Sequence, residues 1–264
     1  MNTAAIPEEV ATATALTQAQ RDAYREKGYL ALRGVFAPDE VAEMKAECAR
    51  LLASDYVHPD NRRTRPRMVN GAALVERFDP VVDISPVFAA LARDPRVLGP
   101  IRELYGGDML LFKDKLIFKL PGMTGYTLHQ DWAWWQPFPR DIVSVTVAID
   151  GADAANGALE VFPGYHDRLL SEPGVLRNMD AEEVARVDPA AGEMLETSPG
   201  DVVLFDGLTP HRSGPNTSER SRQQLYLSYC AARHGDLYAA QAEHYRAYTE
   251  ARMTGEERAR TYFR

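Results

Sequence analysis

Cysteine is nearly absent from this sequence: Cys48 and Cys230 are the only two in 264 residues. Two thiols cannot build a disulfide framework at this length and argue against a cysteine-ligated metal, so a reducing, cytoplasmic setting is expected. Lysine is also scarce, with five among 30 basic residues, and acidic residues outnumber basic ones at 38, leaving a formal net charge of -8. Nucleic-acid binding needs a basic face, so a small-molecule partner is expected instead. No apolar run reaches the roughly eighteen residues of a membrane-spanning helix, so no membrane partner is expected. The opening segment, MNTAAIPEEVATATALTQAQ, has neither the basic flank nor the apolar centre of a secretory signal, and residues 1–16 read as a disordered lead. Nothing in the composition sets an oligomeric state.

Local patterns organise what is present. Thr17 with Gln20 is a capping-box pair opening a helix that Gly28 closes. YLALRGVF reads as a strand, and PDEVAEMKAECARLL places Val41, Met44, Cys48, Leu51 and Leu52 on one helical face. Residues 55–73 are polar and Arg-rich without periodicity and read as a loop, its Arg62, Arg63, Arg65 and Arg67 as a solvated basic cluster able to attract an anion. Residues 85–105 read as two short helices broken near Pro95. From residue 109 the chain turns to strand-length apolar runs, MLLFKDKLIFKL, IVSVTVAID, ALEVF, DVVLF and QQLYLSYCAA, before a helical tail over 238–264. No repeat or Gly/Ser linker divides it, so 1–264 reads as one domain. Helices leading into many short strands predict an α+β fold with a mainly β core: a double-sheet jelly roll with N-terminal and flanking helices.

The segment TLHQDWAWW puts His129 and Asp131 two residues apart, so on a strand both side chains leave one face. Imidazole with carboxylate suits a divalent ion, and a third ligand from another strand would complete a facial triad with open positions. His-x-Asp alone is usually a surface or hydrogen-bonding pair. His211 is the candidate third ligand, because SPGDVVLFDGLTPH carries a buried-looking strand through a turn to an imidazole. His58 and His234 sit in polar loops, His244 in the helical tail and His166 in a PGYH turn.

The ordered set LFKDKLIFKLPG, LHQDWAWW, NGALEVFPGYH, GDVVLF and HRSGPNTSERSR resembles the phytanoyl-CoA dioxygenase family of Fe(II)/2-oxoglutarate oxygenases, over about residues 20–235. The resemblance implies a double-stranded β-helix of cupin-like form, with His129, Asp131 and His211 binding Fe(II). It further implies that Arg222 pairs with the distal carboxylate of the co-substrate 2-oxoglutarate, that Ser213 assists it, and that Thr146 projects toward it. A planar guanidinium grips a carboxylate through two parallel hydrogen bonds, which suits that role, and Arg220 is its rival. Such enzymes consume O2 and 2-oxoglutarate, release succinate and CO2, and oxidise a C–H bond of a small metabolite. Asp131, where related halogenases have Gly or Ala, argues against halogenation. The other class of reading is a metal-binding jelly roll that senses a ligand without turnover.

Lys113, Lys115 and Lys119 are evenly spaced on a presumed strand and so share a face. Mutual repulsion leads us to expect Lys115 or Lys119 at the site and the rest in solvent. Trp134 and Trp135 beside the metal segment are candidates for a substrate wall, although core packing is the ordinary role of such rings, and Arg67 is a candidate cation. These basic residues favour an anionic or zwitterionic substrate. Its identity, and the choice among hydroxylation, desaturation, cyclisation and epoxidation, are not written in the motifs.

Overall fold

Helices begin where capping chemistry is available. The Thr17 hydroxyl accepts the Gln20 N–H while the Gln20 side chain accepts that of Thr17, so α1 (Gln18–Lys27) starts there and stops at Gly28, whose φ of 78° suits glycine. The computed structural model describes residues 15–69 and 71–264. Most of the expected lead therefore lies outside the described residues, but Leu16 is buried and its N–H donates to Glu103. After β1 (Tyr29–Leu32), α2 (Pro38–Leu52) buries Val41, Met44, Cys48 and Leu51 as its periodicity predicts, while Leu52 turns out to solvent.

The Arg-rich segment read as a loop is instead half of a hairpin, β2 (Thr64–Val69) paired antiparallel with β3 (Ala72–Phe78). β2 is the last strand of its sheet, so Arg65 and Met68 stay exposed and Pro66, beside a bulge, breaks no ladder. The arginines of this segment are also less free than expected: Arg67 lies 3.1 Å from Glu76, and Arg63, just before β2, is buried against Asp83. α3 (Pro86–Leu91) and α4 (Pro95–Tyr105) break at Pro95, where Asp94 caps the second helix. β4 (Met109–Lys119), β5 (Tyr126–His129), β6 (Ile142–Ala148) and β7 (Leu159–Val161) follow. Then come α5 (Ala181–Val184), β8 (Glu193–Leu195), β9 (Val202–Asp206), β10 (His211–Ser213) and β11 (Arg222–Ala231). The tail holds α6 (Tyr238–Glu250) and a further short helix, α7 (Gly255–Arg260).

The strands form two antiparallel sheets, a large one in the order β1-β9-β6-β11-β4-β3-β2 and a small one in the order β5-β10-β7-β8, the jelly-roll core that the sequence predicts. Alternation along the central strands separates two jobs. Val143, Val145, Val147, Leu225 and Leu227 join Met44, Leu51, Phe88, Val97 and Ile101 of the helices in the main core. The alternate positions, among them Ser144, Thr146, Gln224 and Ser228, are equally buried but polar, and they face the small sheet. Buried polar groups need partners, so this inner face is where a site is to be sought. Among the described residues no helix is long and apolar enough to cross a membrane, and both cysteines are buried and free.

Candidate metal centre

His129 closes β5 and His211 opens β10, directly opposite each other in the ladder, with ring centroids 4.2 Å apart. Asp131 is not on the strand as expected; it begins a 3-10 turn (Asp131–Trp134). The strand ends because the Trp132 N–H turns away to the Gly207 carbonyl, at 2.8 Å. Gln130 nevertheless stays extended (φ -112°, ψ 130°), which keeps His129 and Asp131 on one side.

Each ligand candidate is held by its other polar atom. His129 Nδ1 lies 2.8 Å from the Thr127 carbonyl and His211 Nδ1 2.9 Å from that of Thr209. A carbonyl only accepts, so both Nδ1 atoms carry the proton and both Nε2 lone pairs are left free. The Ser144 hydroxyl donates to Asp131 Oδ2 at 2.6 Å, leaving Oδ1, which lies 3.9 Å from each Nε2. The three ligand atoms fall within 4.8 Å of one another, an arrangement found among the described residues only in this group. Burial, then the neighbouring His211, pushes the His129 imidazole down to about 3 against the pull of Asp131, and burial likewise lowers His211. Burial opposes ionisation of Asp131, but His211, Lys115, His129 and the Ser144 hydrogen bond together hold its carboxyl below the usual range. Near neutral pH the group is thus two neutral imidazoles and a carboxylate, the state a divalent metal needs. The donor set fits iron with open positions.

Arg222 opens β11 opposite Lys119 of β4. Its side chain is almost wholly buried; Nη1 donates to the Gly157 carbonyl while Nε is buried with no partner. Lys119 Nζ donates to Ser213 Oγ at 2.8 Å and to the carbonyls of Gly157 and Gly214, and burial, then Arg222, pushes its ammonium down to about 7. Two buried cations, a hydroxyl and an orphaned guanidinium N–H make a receptor for a carboxylate. Thr146 is buried on β6, two residues from Ser144. The rival Arg220 is exposed and paired with Asp153. Gly157 (φ 76°) permits the close packing here, because a Cβ on it would lie 2.3 Å from the Gly214 carbonyl oxygen.

The residues expected at a substrate wall divide. Trp135 is buried edge-on to Phe112 at 5.4 Å, and Trp134 meets Tyr248 of α6 edge-on at 5.8 Å. Arg67 is engaged by Glu76 and Thr124. Lys113 is not solvated but 2.7 Å from Asp79, whereas Lys115 and Lys119 both face inward. Sequence reasoning missed Ser144 and Gln130, and although it placed a helix at α6 it did not foresee that helix packing against the Trp134 turn. Gln130 is fully buried; its side chain donates to the carbonyls of Arg168 and Leu208 and accepts the Leu170 N–H, tying three segments behind the ligands. The remaining histidines have local partners or packing: His58 with the Asp60 N–H, His166 with the Arg25 carbonyl, His234 with Asp141, His244 against Phe138.

The family described as "Phytanoyl-CoA dioxygenase (PhyH)" matches residues 24–224. A 2-aminoethylphosphonate dioxygenase from uncultured bacterium HF130_AEPn_1 is 27% identical over 216 residues, 81% of either chain. An ectoine dioxygenase from Streptomyces anulatus is 31% identical over 228 residues, 78% of this chain and 75% of that one. The crystal structure of EctD from S. alaskensis with bound Fe superposes with a TM-score of 0.73 at 26% identity, covering 86% of this chain and 80% of that one.

Proposed function

This chain belongs to the phytanoyl-CoA dioxygenase family, and from that premise we propose that His129, Asp131 and His211 hold the iron of its active site, with Arg222, Ser213 and Thr146 seating the co-substrate. The protein is an Fe(II)- and 2-oxoglutarate-dependent dioxygenase of a small metabolite. The observation that carries the assignment of residues is the convergence of two free Nε2 atoms and one free carboxylate oxygen, each fixed from behind. Bound iron and 2-oxoglutarate supply the oxidising power: C–H, O2 and 2-oxoglutarate become C–OH, succinate and CO2. The chain's own residues hold the ligands in one protonation state and pin the far carboxylate of the co-substrate through Arg222, with Lys119 adding positive charge from behind Ser213.

We read the primary substrate as a small anionic or zwitterionic metabolite; 2-aminoethylphosphonate, the substrate named for one relative, has that character. An acyl-CoA is not inferred from the family's name, since activity belongs to the site. The free buried cysteines support a cytoplasmic location, and the return of the C-terminus onto Asp60 and Arg62 supports a single domain. The test is anaerobic titration of the Fe(II)-loaded protein with 2-oxoglutarate, followed by admission of air and measurement of succinate. Wild type should bind the co-substrate and form succinate, and Asp131→Ala should form none. Full succinate formation by Asp131→Ala, or by either histidine-to-alanine variant, removes that residue from the triad.

A further inference from the structure

The three lysines of β4 meet three different environments. Lys119 is engaged with Ser213 beside Arg222. Lys113 lies 2.7 Å from Asp79, and Arg77 shares that carboxylate at 3.7 Å while donating to the Tyr245 hydroxyl. Among the described residues Lys115 has neither an ion pair nor a hydrogen bond; its Nζ lies 5.1 Å from the centre of the Tyr226 ring. Register fixes its level. Lys115 opposes Tyr226, which opposes Thr146, and the next row of this face, Lys113, Ser228 and Ser144, carries the hydroxyl that holds Asp131.

Positive charge is therefore in excess beside the triad. Asp79 serves two cations, and Asp131, the acid that most favours the Lys115 ammonium, is assigned to the metal. Burial lowers the affinity of Lys115 for its proton, and Arg77 and Lys113 lower it further, so an entering anion relieves a standing repulsion. The Arg222 corner lies further along the same face, four residues of strand or about 13 Å between the α-carbons of Lys115 and Lys119.

We propose that Lys115, reinforced by Lys113 and Arg77, is the anion anchor of the primary-substrate site, and that the substrate bears a carboxylate or phosphonate within a few bonds of the oxidised carbon. This rests on the iron assignment above. Lys115 stands one row along this face from Ser144, whose hydroxyl holds Asp131, so an anion bound to it sets the neighbouring carbon before the metal. The Tyr226 ring lies beside Lys115 and the Tyr245 ring beside Lys113, with the ammonium groups 5.1 Å and 4.7 Å from the ring centres.

The experiment uses the whole protein, loaded with Fe(II) under anaerobic conditions and first titrated with 2-oxoglutarate alone. Failure at this step overturns the iron assignment, and the anchor with it, before any probe is added. 2-Aminoethylphosphonate, β-alanine and ethanolamine are then titrated calorimetrically; the first two differ in their oxyanion and the third has none. We expect at least one anionic probe to bind wild type about tenfold or more tighter than ethanolamine, and the phosphonate and carboxylate arms to separate the two head groups. Lys115→Met should lose about tenfold or more for that probe, Lys115→Arg should retain it within about threefold, and co-substrate affinity should hold in both. The anchor is overturned if no anionic probe binds wild type, if ethanolamine binds equally well, if Lys115→Met binds the probe like wild type, or if its loss falls on 2-oxoglutarate instead.

Discussion

Single atoms decide the state of this site. The Ser144 hydroxyl selects which oxygen of Asp131 is free, and groups that orient metal ligands typically contribute about 10–100-fold to metal affinity. Ser144→Ala should therefore weaken Fe(II) binding by about that factor while circular dichroism is unchanged; unaltered affinity would show that Asp131 needs no such restraint. Arg222→Ala should lower 2-oxoglutarate affinity by about two orders of magnitude, since losing one partner of a buried charged pair costs about 2–5 kcal/mol, and Arg220→Ala should do little. The reverse result would shift the co-substrate pair by two residues. Lys119 adds a pH dependence. It is held near 7 in the free site, where Arg222, Arg67 and Glu76 are the charges acting on it, and a bound carboxylate must raise that value. Binding above about pH 7 thus takes up a proton, so affinity should be flat below pH 7 and fall by up to about tenfold per unit above it. Lys119→Met should bind more weakly and lack the slope. At this scale the proposed triad and Arg222 stand in contiguous strings, His-x-Asp and the residues after His211, and the three ligand candidates do meet in space. Ser144 and Gln130 are not legible in this way, since their contacts join segments 13 to 78 residues apart and leave no local spacing to read.

Elements were readable wherever one face is apolar and the ends carry caps. α1, α2 and the Pro95 break fall where their sequences put them, and so do the five strand runs. The β2–β3 hairpin escaped because its edge strand alternates arginine with Thr64, Pro66 and Met68, and a proline among exposed arginines resembles a loop until a partner strand is known. β11 makes the opposite point, because its two faces serve separate ends: Leu225 and Leu227 are fully buried among the helices, while Gln224 and Tyr226 line the inner side. Leu227→Ala should cost about 2–5 kcal/mol in chemical denaturation through loss of burial and the cavity left behind. Because Leu227 points away from the site, 2-oxoglutarate affinity measured well below the unfolding midpoint should stay near that of wild type. A large loss of affinity at full folding would mean that the two faces are coupled.

Across the whole molecule, a chain of net charge -8 gathers Arg77, Lys113, Lys115, Lys119 and Arg222 on the inward side of one sheet. The architecture and the chemical class follow from five motifs in order, but the packing of α6 does not. It sets α6 against β4 and the Trp134 turn, more than a hundred residues away in sequence, a meeting that no local pattern announces. The two imidazoles have a different standing. Each is oriented by the main-chain carbonyl two positions before it, at Thr127 and Thr209, an atom that every amino acid supplies. Exchange of either threonine leaves that acceptor in place, so the tautomers that present both nitrogens to a metal are nearly immune to mutational drift. The groups proposed to select the substrate, Lys115, Lys113 and Arg77, are side chains without that protection, so exchange there can alter what is oxidised while the two tautomers stay as they are.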